Sequence, residues 1–236
     1  MSVTTRVESV PVEGGSMPAH LAVPESGSGP GLVLFQEIFG ANRHMRGRAR
    51  TLAEWGYVTL LPDLFWRVGP GIEIDESDAD AMQRAMATMG RFDMEAAVAD
   101  GVRALTHLRG LPEARDGGVL GYCLGGMIAY LVASAADPAV AVCYYPSGSH
   151  ERLDAAAGIA CPALFHFGAA DEYLPHDLPD RMREATAANP AVEIRVHPGA
   201  GHAFDNDEAP QFHHAPARAR AAEQTREFLR RALPPA

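Results

Sequence analysis

The chain has 236 residues, of which 47% are hydrophobic, and its 20 basic and 30 acidic residues give a formal charge of −10. These values suit one globular domain over residues 1–236 with a sizeable core, and the acidic excess argues against a nucleic-acid partner. No uncharged apolar stretch reaches the roughly 18 residues of a membrane span. Three cysteines without a CxxC pair predict neither a disulfide framework nor a zinc site. Because the N-terminus also lacks the apolar core of a signal peptide, we expect a reduced, cytoplasmic protein.

Short apolar strands alternate with helices in the first half of the chain. Residues 31–36 and 57–61 are predicted strands, and a helix is expected between them at about 42–55. Four arginines lie on this helix, and a solvated or ion-paired face explains them better than a phosphate site does. Helical sequence then runs over about 76–108, with a break near Gly90.

The second half of the chain continues the same alternation. Strands are predicted at 117–120, 139–145, 163–168 and 192–196, and helices at 126–136 and 217–233. Strands separated by helices of this length predict an α/β fold with a mostly parallel central sheet and helices on both faces.

A five-residue motif between a predicted strand and a predicted helix carries the strongest functional signal. Gly121-Tyr122-Cys123-Leu124-Gly125 has the form of the nucleophile elbow G-x-S-x-G with cysteine in place of serine. Such a turn exposes its central side chain, and its glycines allow the close approach of strand and helix. Cys123 is therefore a candidate nucleophile, and the alternative is a small buried hydrophobic residue.

An acid and a histidine follow the elbow in the order that this kind of hydrolase uses, namely nucleophile, acid, histidine. Asp171 lies three residues beyond the predicted strand 163–168, and His202 follows the predicted strand 192–196. Both positions are just past the carboxyl ends of strands, where open α/β sheets place their sites. Taken alone, Asp171 could be a loop or N-cap aspartate and His202 a turn histidine. The joint order favours a triad.

Gln36-Glu37-Ile38-Phe39-Gly40 ends the first predicted strand and forms a second candidate site segment. An acyl-transfer site needs two backbone N–H groups for the oxyanion, and Leu124 and Ile38 are the candidates. Glu37 follows an apolar strand, so its carboxylate needs a partner. It is either an ordinary surface glutamate or a carboxyl group that hydrogen-bonds the Cys123 thiol.

Together these segments resemble the dienelactone hydrolase family of α/β-hydrolases, over about residues 18–230. The matching segments are Gln36–Gly40, Pro62–Leu64, Phe92–Glu95, Gly121–Gly126 and Gly201–His202. The resemblance implies an α/β-hydrolase fold and a Cys123–His202–Asp171 triad that needs no cofactor. It also implies that Glu37 holds the resting thiol and helps to activate it, and that the two backbone donors occupy the family's oxyanion-hole positions.

The sequence departs from the family where the substrate carboxylate is held. Family members that cleave dienelactone use two arginines for this purpose, which a bidentate guanidinium suits. Asn206 and Met82 stand at those positions here, and Arg84 lies about 200° away around the helix. Asp205 is expected to repel an anionic substrate. We therefore expect the mechanism of the family with a different substrate preference.

Several further residues are candidates for contacts with the substrate. Met82, Met86 and Met89 share one helix face, which either lines an apolar pocket or belongs to the core, the more common role of such a face. Tyr144, at the end of the predicted strand 139–145, either borders the site or packs against the sheet end. Phe39 and Arg84 are further candidates.

The expected function is cysteine-dependent hydrolysis of a small lactone or ester through a thioester acyl-enzyme. The alternatives are a thioesterase or peptidase with the same triad, and a non-catalytic binding protein. No metal is expected, because the adjacent His213 and His214 would point to different helix faces. Cys143 and Cys161 are expected to be structural. The expected partner is a small molecule, and the expected assembly is a monomer or a small homo-oligomer.

Overall fold

The computed structural model describes residues 2–235, and within them one eight-stranded sheet is flanked by helices. The strands are β1 (Thr4–Val12), β2 (Gly15–Val23), β3 (Gly29–Phe35), β4 (Val58–Pro62), β5 (Ala114–Tyr122), β6 (Ala141–Tyr144), β7 (Ala163–Gly168) and β8 (Val192–His197). The α-helices are α1 (Arg43–Glu54), α2 (Ala81–Met89), α3 (Met94–Arg109), α4 (Leu124–Ala136), α5 (Leu178–Ala185) and α6 (Ala215–Ala232). Two short 3₁₀ helices, Ser149–Glu151 and Leu153–Gly158, follow β6.

The strand order is β1-β2-β4-β3-β5-β6-β7-β8, and the pairs from β4 to β8 are parallel. β1 and β2 pair antiparallel at one edge. The expected mostly parallel sheet is thus confirmed. Phe35 of β3 pairs with Gly121 of β5, so the segment after β3 lies beside the turn after β5. This register brings the two candidate site segments together at the carboxyl edge.

Burial of the central strands shows that both faces of the sheet are covered. Every residue of β3 and of β4 is buried, and successive side chains of a strand point to opposite faces. The nearly continuous apolar sequences of these strands, in which Thr59 is the polar exception, follow from this position. None of the helices within residues 2–235 is long and apolar enough to cross a membrane.

The predicted helical stretch 76–108 is two helices, α2 and α3, preceded by turns. α2 ends at Met89 with Gly90 as its C-cap, and Asp93 is the N-cap of α3, where its side chain accepts a 3.1 Å hydrogen bond from the backbone N–H of Ala96. The predicted strand 139–145 is shorter, because β6 ends at Tyr144 and Tyr145 has a left-handed backbone with φ of 35°.

The arginines of α1 form an ion-paired face, as the sequence interpretation favoured. Arg46 lies 2.6 Å from Glu73, and Arg48 lies 2.9 Å from Asp205. Arg43 contacts Glu208. The pairs with Asp205 and Glu208 attach α1 to the loop that follows β8, and the pair with Glu73 attaches it to the segment between β4 and α2.

Candidate active site

The turn between β5 and α4 has the strained geometry of an elbow. Cys123 has φ of 53° and ψ of −114°, a conformation that a residue with a side chain rarely adopts. A Cβ on Gly121 would lie 1.9 Å from the carbonyl oxygen of Gly125, and one on Gly125 would lie 2.2 Å from that of Phe35. Close packing of the backbone therefore requires glycine at both positions of the motif. The tight turn directs the Cys123 side chain toward the carboxyl edge of the sheet.

Cys123, His202 and Asp171 form a continuous hydrogen-bonded series. His202 Nε2 lies 3.2 Å from Cys123 Sγ, and His202 Nδ1 lies 2.8 Å from Asp171 Oδ2. The other carboxylate oxygen of Asp171 accepts a 2.9 Å bond from the backbone N–H of Tyr173. The carboxylate is thus fixed from two sides and can orient the imidazole with its Nε2 atom toward the sulfur.

The electrostatics of this series favour a protonated His202. Burial alone would lower its pKa, but the Cys123 sulfur and the Asp171 carboxylate outweigh burial and raise the pKa of His202 to about 10. An imidazolium beside a cysteine sulfur is the arrangement that supports a nucleophilic thiolate.

Ser147 is a member of this cluster that sequence reasoning missed. Its Oγ lies 3.3 Å from Cys123 Sγ and 3.2 Å from His202 Nε2. Ser147 follows the end of β6 by three residues, as Asp171 follows the end of β7. That spacing past a strand end was the signal that could have found it.

Glu37 is buried near the cluster but does not bond the thiol, so the expected Glu37–Cys123 hydrogen bond is wrong. Its Oε2 accepts a 2.7 Å bond from Asn206 Nδ2, and its Oε1 accepts a 3.4 Å bond from the Tyr145 hydroxyl. Burial raises the pKa of Glu37 to about 7 in spite of the Asn206 bond, and the nearby Glu76 carboxylate adds to the rise.

Asp205 does not face the substrate region, so the expected repulsion of an anionic substrate is wrong. The side chain is buried and pairs with Arg48 of α1. Asn206 follows it and places Nδ2 3.3 Å from Glu76 as well as against Glu37. The polar side chains of the loop after β8 therefore bind to α1 and to the segments that contain Glu37 and Glu76.

A cavity of about 390 Å³ opens above Cys123 and His202 and is mostly apolar. Its wall includes Ile38 and Leu124 and also the side chains of Met82, Met86, Met89, Met94, Phe39 and Phe212. Met82 is 42% exposed and Met86 59% exposed, so these two lie at the entrance rather than in the core. No arginine or lysine lines the cavity within the described part of the chain.

Two candidate substrate contacts lie away from this cavity. Tyr144 is buried, with its hydroxyl 2.6 Å from Thr225 Oγ1, and the neighbouring Tyr145 instead packs its ring 5.1 Å from that of His202. Of the two alternatives for Tyr144, packing against the sheet end is therefore the one that the structure shows. Arg84 is 3.0 Å from Asp78 on the outer surface of α2. The expected substrate contact of Arg84 is therefore wrong.

The backbone N–H groups of Ile38 and Leu124 donate to no protein acceptor within residues 2–235. Leu124 begins α4, whose first N–H groups have no partner inside the helix. Both residues line the cavity beside Cys123. The two donors are thus available for an oxyanion.

His214 and the two cysteines outside the elbow have structural roles. His214 begins α6, its Nδ1 accepting a 3.3 Å bond from the backbone N–H of Ala217. Cys143 and Cys161 are buried free thiols, and burial raises the pKa of both. No group of three or more His, Cys, Asp or Glu side chains is arranged to hold a metal ion in residues 2–235.

The chain is similar in sequence to proteins of one family over most of its length. The model of the dienelactone hydrolase family matches residues 17–233. A carboxymethylenebutenolidase of Pseudomonas sp. strain P51 is 38% identical over 224 residues, which are 94% of this chain and 92% of that protein. One from Pseudomonas putida is 34% identical over 92% of both chains.

The fold of this chain is similar to that of solved dienelactone hydrolase structures. A candidate dienelactone hydrolase from Klebsiella pneumoniae superimposes with a TM-score of 0.81 at 27% identity, covering 97% of this chain and 98% of that one. The dienelactone hydrolase of Anabaena variabilis superimposes with a TM-score of 0.70 at 20% identity, covering 99% and 100%. The eight-stranded sheet with its helices is therefore an α/β-hydrolase fold, as the sequence predicted.

Proposed function

Since this chain belongs to the dienelactone hydrolase family and is a hydrolase of ester or lactone bonds, we propose that it cleaves a neutral lactone or ester through a thioester on Cys123. The observation that carries the proposal is the alignment of thiol, imidazole and carboxylate. Cys123 Sγ and His202 Nε2 are 3.2 Å apart, and His202 Nδ1 and Asp171 Oδ2 are 2.8 Å apart. Both distances are short enough for proton transfer and orientation.

The first half of the reaction acylates the cysteine. The Cys123 proton passes to His202 Nε2, and the thiolate attacks the substrate carbonyl carbon, whose π electrons move to oxygen. The N–H groups of Leu124 and Ile38 hold this oxyanion. Removing one such donor typically costs about 10²–10³ in turnover. Collapse of the intermediate breaks the bond to the alcohol or enol oxygen, which takes the proton from His202.

The second half of the reaction releases the acid product. Neutral His202 removes a proton from water, and the resulting hydroxide adds to the thioester carbonyl. Collapse expels the Cys123 thiolate, and the imidazolium again stands beside it. Asp171 stabilises the imidazolium in both halves without taking its proton.

The lining of the cavity supports a neutral substrate. Four methionines and two phenylalanines form much of the wall, and no arginine or lysine lies on it within residues 2–235. A substrate carboxylate buried there would lose its hydration without gaining an ion pair, which is costly. The buried Glu37 beside the cavity would add repulsion when ionised. An uncharged acyl or aryl group matches the wall.

The test is hydrolysis of a small panel by the wild type, by Cys123→Ala and by a matched control, Cys161→Ala. Cys161 is another buried thiol and does not line this cavity. The panel holds a neutral aryl ester, a neutral enol lactone, a carboxylate-bearing dienelactone and an acyl thioester.

The proposal is supported if the wild type and Cys161→Ala hydrolyse the neutral ester or lactone and Cys123→Ala does not. Preference for the dienelactone would overturn the assignment of a neutral substrate. A rate on the acyl thioester exceeding that on the oxygen esters would favour a thioesterase with the same triad.

A further inference from the structure

Ser147 completes a triangle with the two atoms that exchange the proton. Its Oγ is 3.3 Å from Cys123 Sγ and 3.2 Å from His202 Nε2, and those two atoms are 3.2 Å apart. Three nearly equal separations mean that the hydroxyl reaches the sulfur and the imidazole at the same time. The serine is therefore placed to act on the nucleophile directly.

The backbone holds Ser147 in this position. Its N–H donates a 3.2 Å hydrogen bond to the carbonyl oxygen of Cys123, which ties the loop after β6 to the elbow. Gly148 then turns the chain away with φ of 81°. Ser147 also lines the cavity, so its hydroxyl faces the volume in which the substrate reacts.

The Ser147 hydroxyl can form hydrogen bonds with Cys123 and His202 both when the two side chains are charged and when they are neutral. When His202 is protonated, Ser147 Oγ can accept from Nε2–H while its O–H donates to the sulfur. When the imidazole is neutral, the same O–H can donate to Nε2 instead. Only the first arrangement adds a donor to an anionic sulfur, and hydrogen bonds to ionised groups are about twice as strong as neutral ones.

We propose that Ser147 is a catalytic residue that stabilises the Cys123 thiolate by donating a hydrogen bond to it. The inference rests on the proposed function, because it concerns the same nucleophile. The proton leaves Cys123 Sγ for His202 Nε2, and the Ser147 hydroxyl turns from the imidazole to the sulfur without losing its own proton. Acylation removes the charge on sulfur and frees the hydroxyl.

The other polar groups around the pair do not supply this bond. Asp171 faces Nδ1 of His202, on the far side of the ring from the sulfur. Glu37 and Tyr145 bond one another, and Tyr173 packs its ring 5.2 Å from that of His202. Because Ser147 carries no charge, its removal changes no Coulombic interaction, and an altered pH profile would report the lost hydrogen bond.

The experiment measures alkylation of Cys123 by iodoacetamide from pH 4 to pH 10, with the modified cysteine identified by peptide mass spectrometry. The variants are Ser147→Ala, Ser147→Thr, which keeps a hydroxyl, and Ser149→Ala as the matched control. Ser149 lies two residues further on, and its hydroxyl makes no hydrogen bond within the described residues.

In Ser147→Ala, we expect the alkylation rate of Cys123 to reach half of its maximum about one pH unit higher than in the wild type. At pH values below the wild-type midpoint, this shift is a roughly ten-fold loss of thiolate. Ser147→Thr and Ser149→Ala should follow the wild type. An unchanged midpoint in a folded Ser147→Ala protein overturns the proposal, as does an equal shift in Ser149→Ala. Alkylation needs no substrate, so retained hydrolysis in Cys123→Ala would refute the proposed function without altering this result.

Discussion

Asn206 donates a 2.7 Å hydrogen bond from Nδ2 to Oε2 of Glu37, so a neutral amide is the closest partner of a buried carboxyl group. Family members that cleave dienelactone have an arginine at this position, as the resemblance implies. A guanidinium would neutralise the carboxylate, whereas an amide leaves its charge uncompensated. Burial accordingly raises the pKa of Glu37 from 4.5 to about 7.

Replacing Glu37 by glutamine should stabilise the protein at alkaline pH relative to the wild type. The unfolded carboxyl ionises near pH 4.5 and the folded one near pH 7, so the wild type loses stability as pH rises through this window. A shift of this size corresponds to about 3 kcal/mol at most. Glutamine keeps the Asn206 bond and has no charge to desolvate.

Urea unfolding of both proteins at pH 5 and pH 8 measures this effect. The advantage of Glu37→Gln should grow by about 2–3 kcal/mol between the two pH values. An advantage that is the same at both would show that Glu37 does not titrate in this window.

Arg48→Met should destabilise the protein more than any change at an exposed arginine of α1. It would leave Asp205 buried without its ion pair, and breaking a buried pair in this way typically costs about 3–5 kcal/mol. Burial already raises the pKa of Asp205, and Arg48 limits that rise. Without Arg48, protonation becomes easier, so the loss should be smaller at pH 5 than at pH 8.

Chemical denaturation at these two pH values, with the exposed Arg50→Met as control, is the measurement. Equal small losses for both variants would mean that the Arg48–Asp205 pair contributes no more than a surface contact.

Met82→Arg should improve the use of a carboxylate-bearing lactone. Met82 lies at the cavity entrance and is 42% exposed, so a guanidinium can enter without being buried. A charge-assisted hydrogen bond is worth about 1.5–3 kcal/mol, which predicts a ten- to hundred-fold rise in relative kcat/KM for the anionic over the neutral substrate. Met82→Gln serves as the uncharged control of similar length. If the ratio of kcat/KM for the anionic to the neutral substrate rises equally in both variants, the absence of a positive charge at position 82 does not determine the substrate preference.

The sequence was most informative where a residue's position depends on its own neighbours. Cys123 is placed by the glycines beside it, and Asp171 and His202 by the strand ends that precede them. Each of these signals is local. The geometry brings the three together because parallel strands end at one edge of the sheet.

The sequence was least informative where side chains from distant segments decide an orientation. Glu37 was expected to bond Cys123, but it turns to Asn206, which lies 169 positions away in the chain. Ser147 belongs to no motif, and its contacts with Cys123 and His202 depend on the packing of the elbow against the loop after β6.

Mass spectrometry of the wild-type enzyme, quenched during turnover of a neutral aryl ester, tests whether hydrolysis passes through a thioester on Cys123. In the wild type we expect an acyl group on the peptide that contains Cys123. In Cys123→Ala we expect neither the adduct nor hydrolysis. A wild-type enzyme that turns over without any adduct at Cys123, together with a Cys123→Ala variant of undiminished rate, would contradict it.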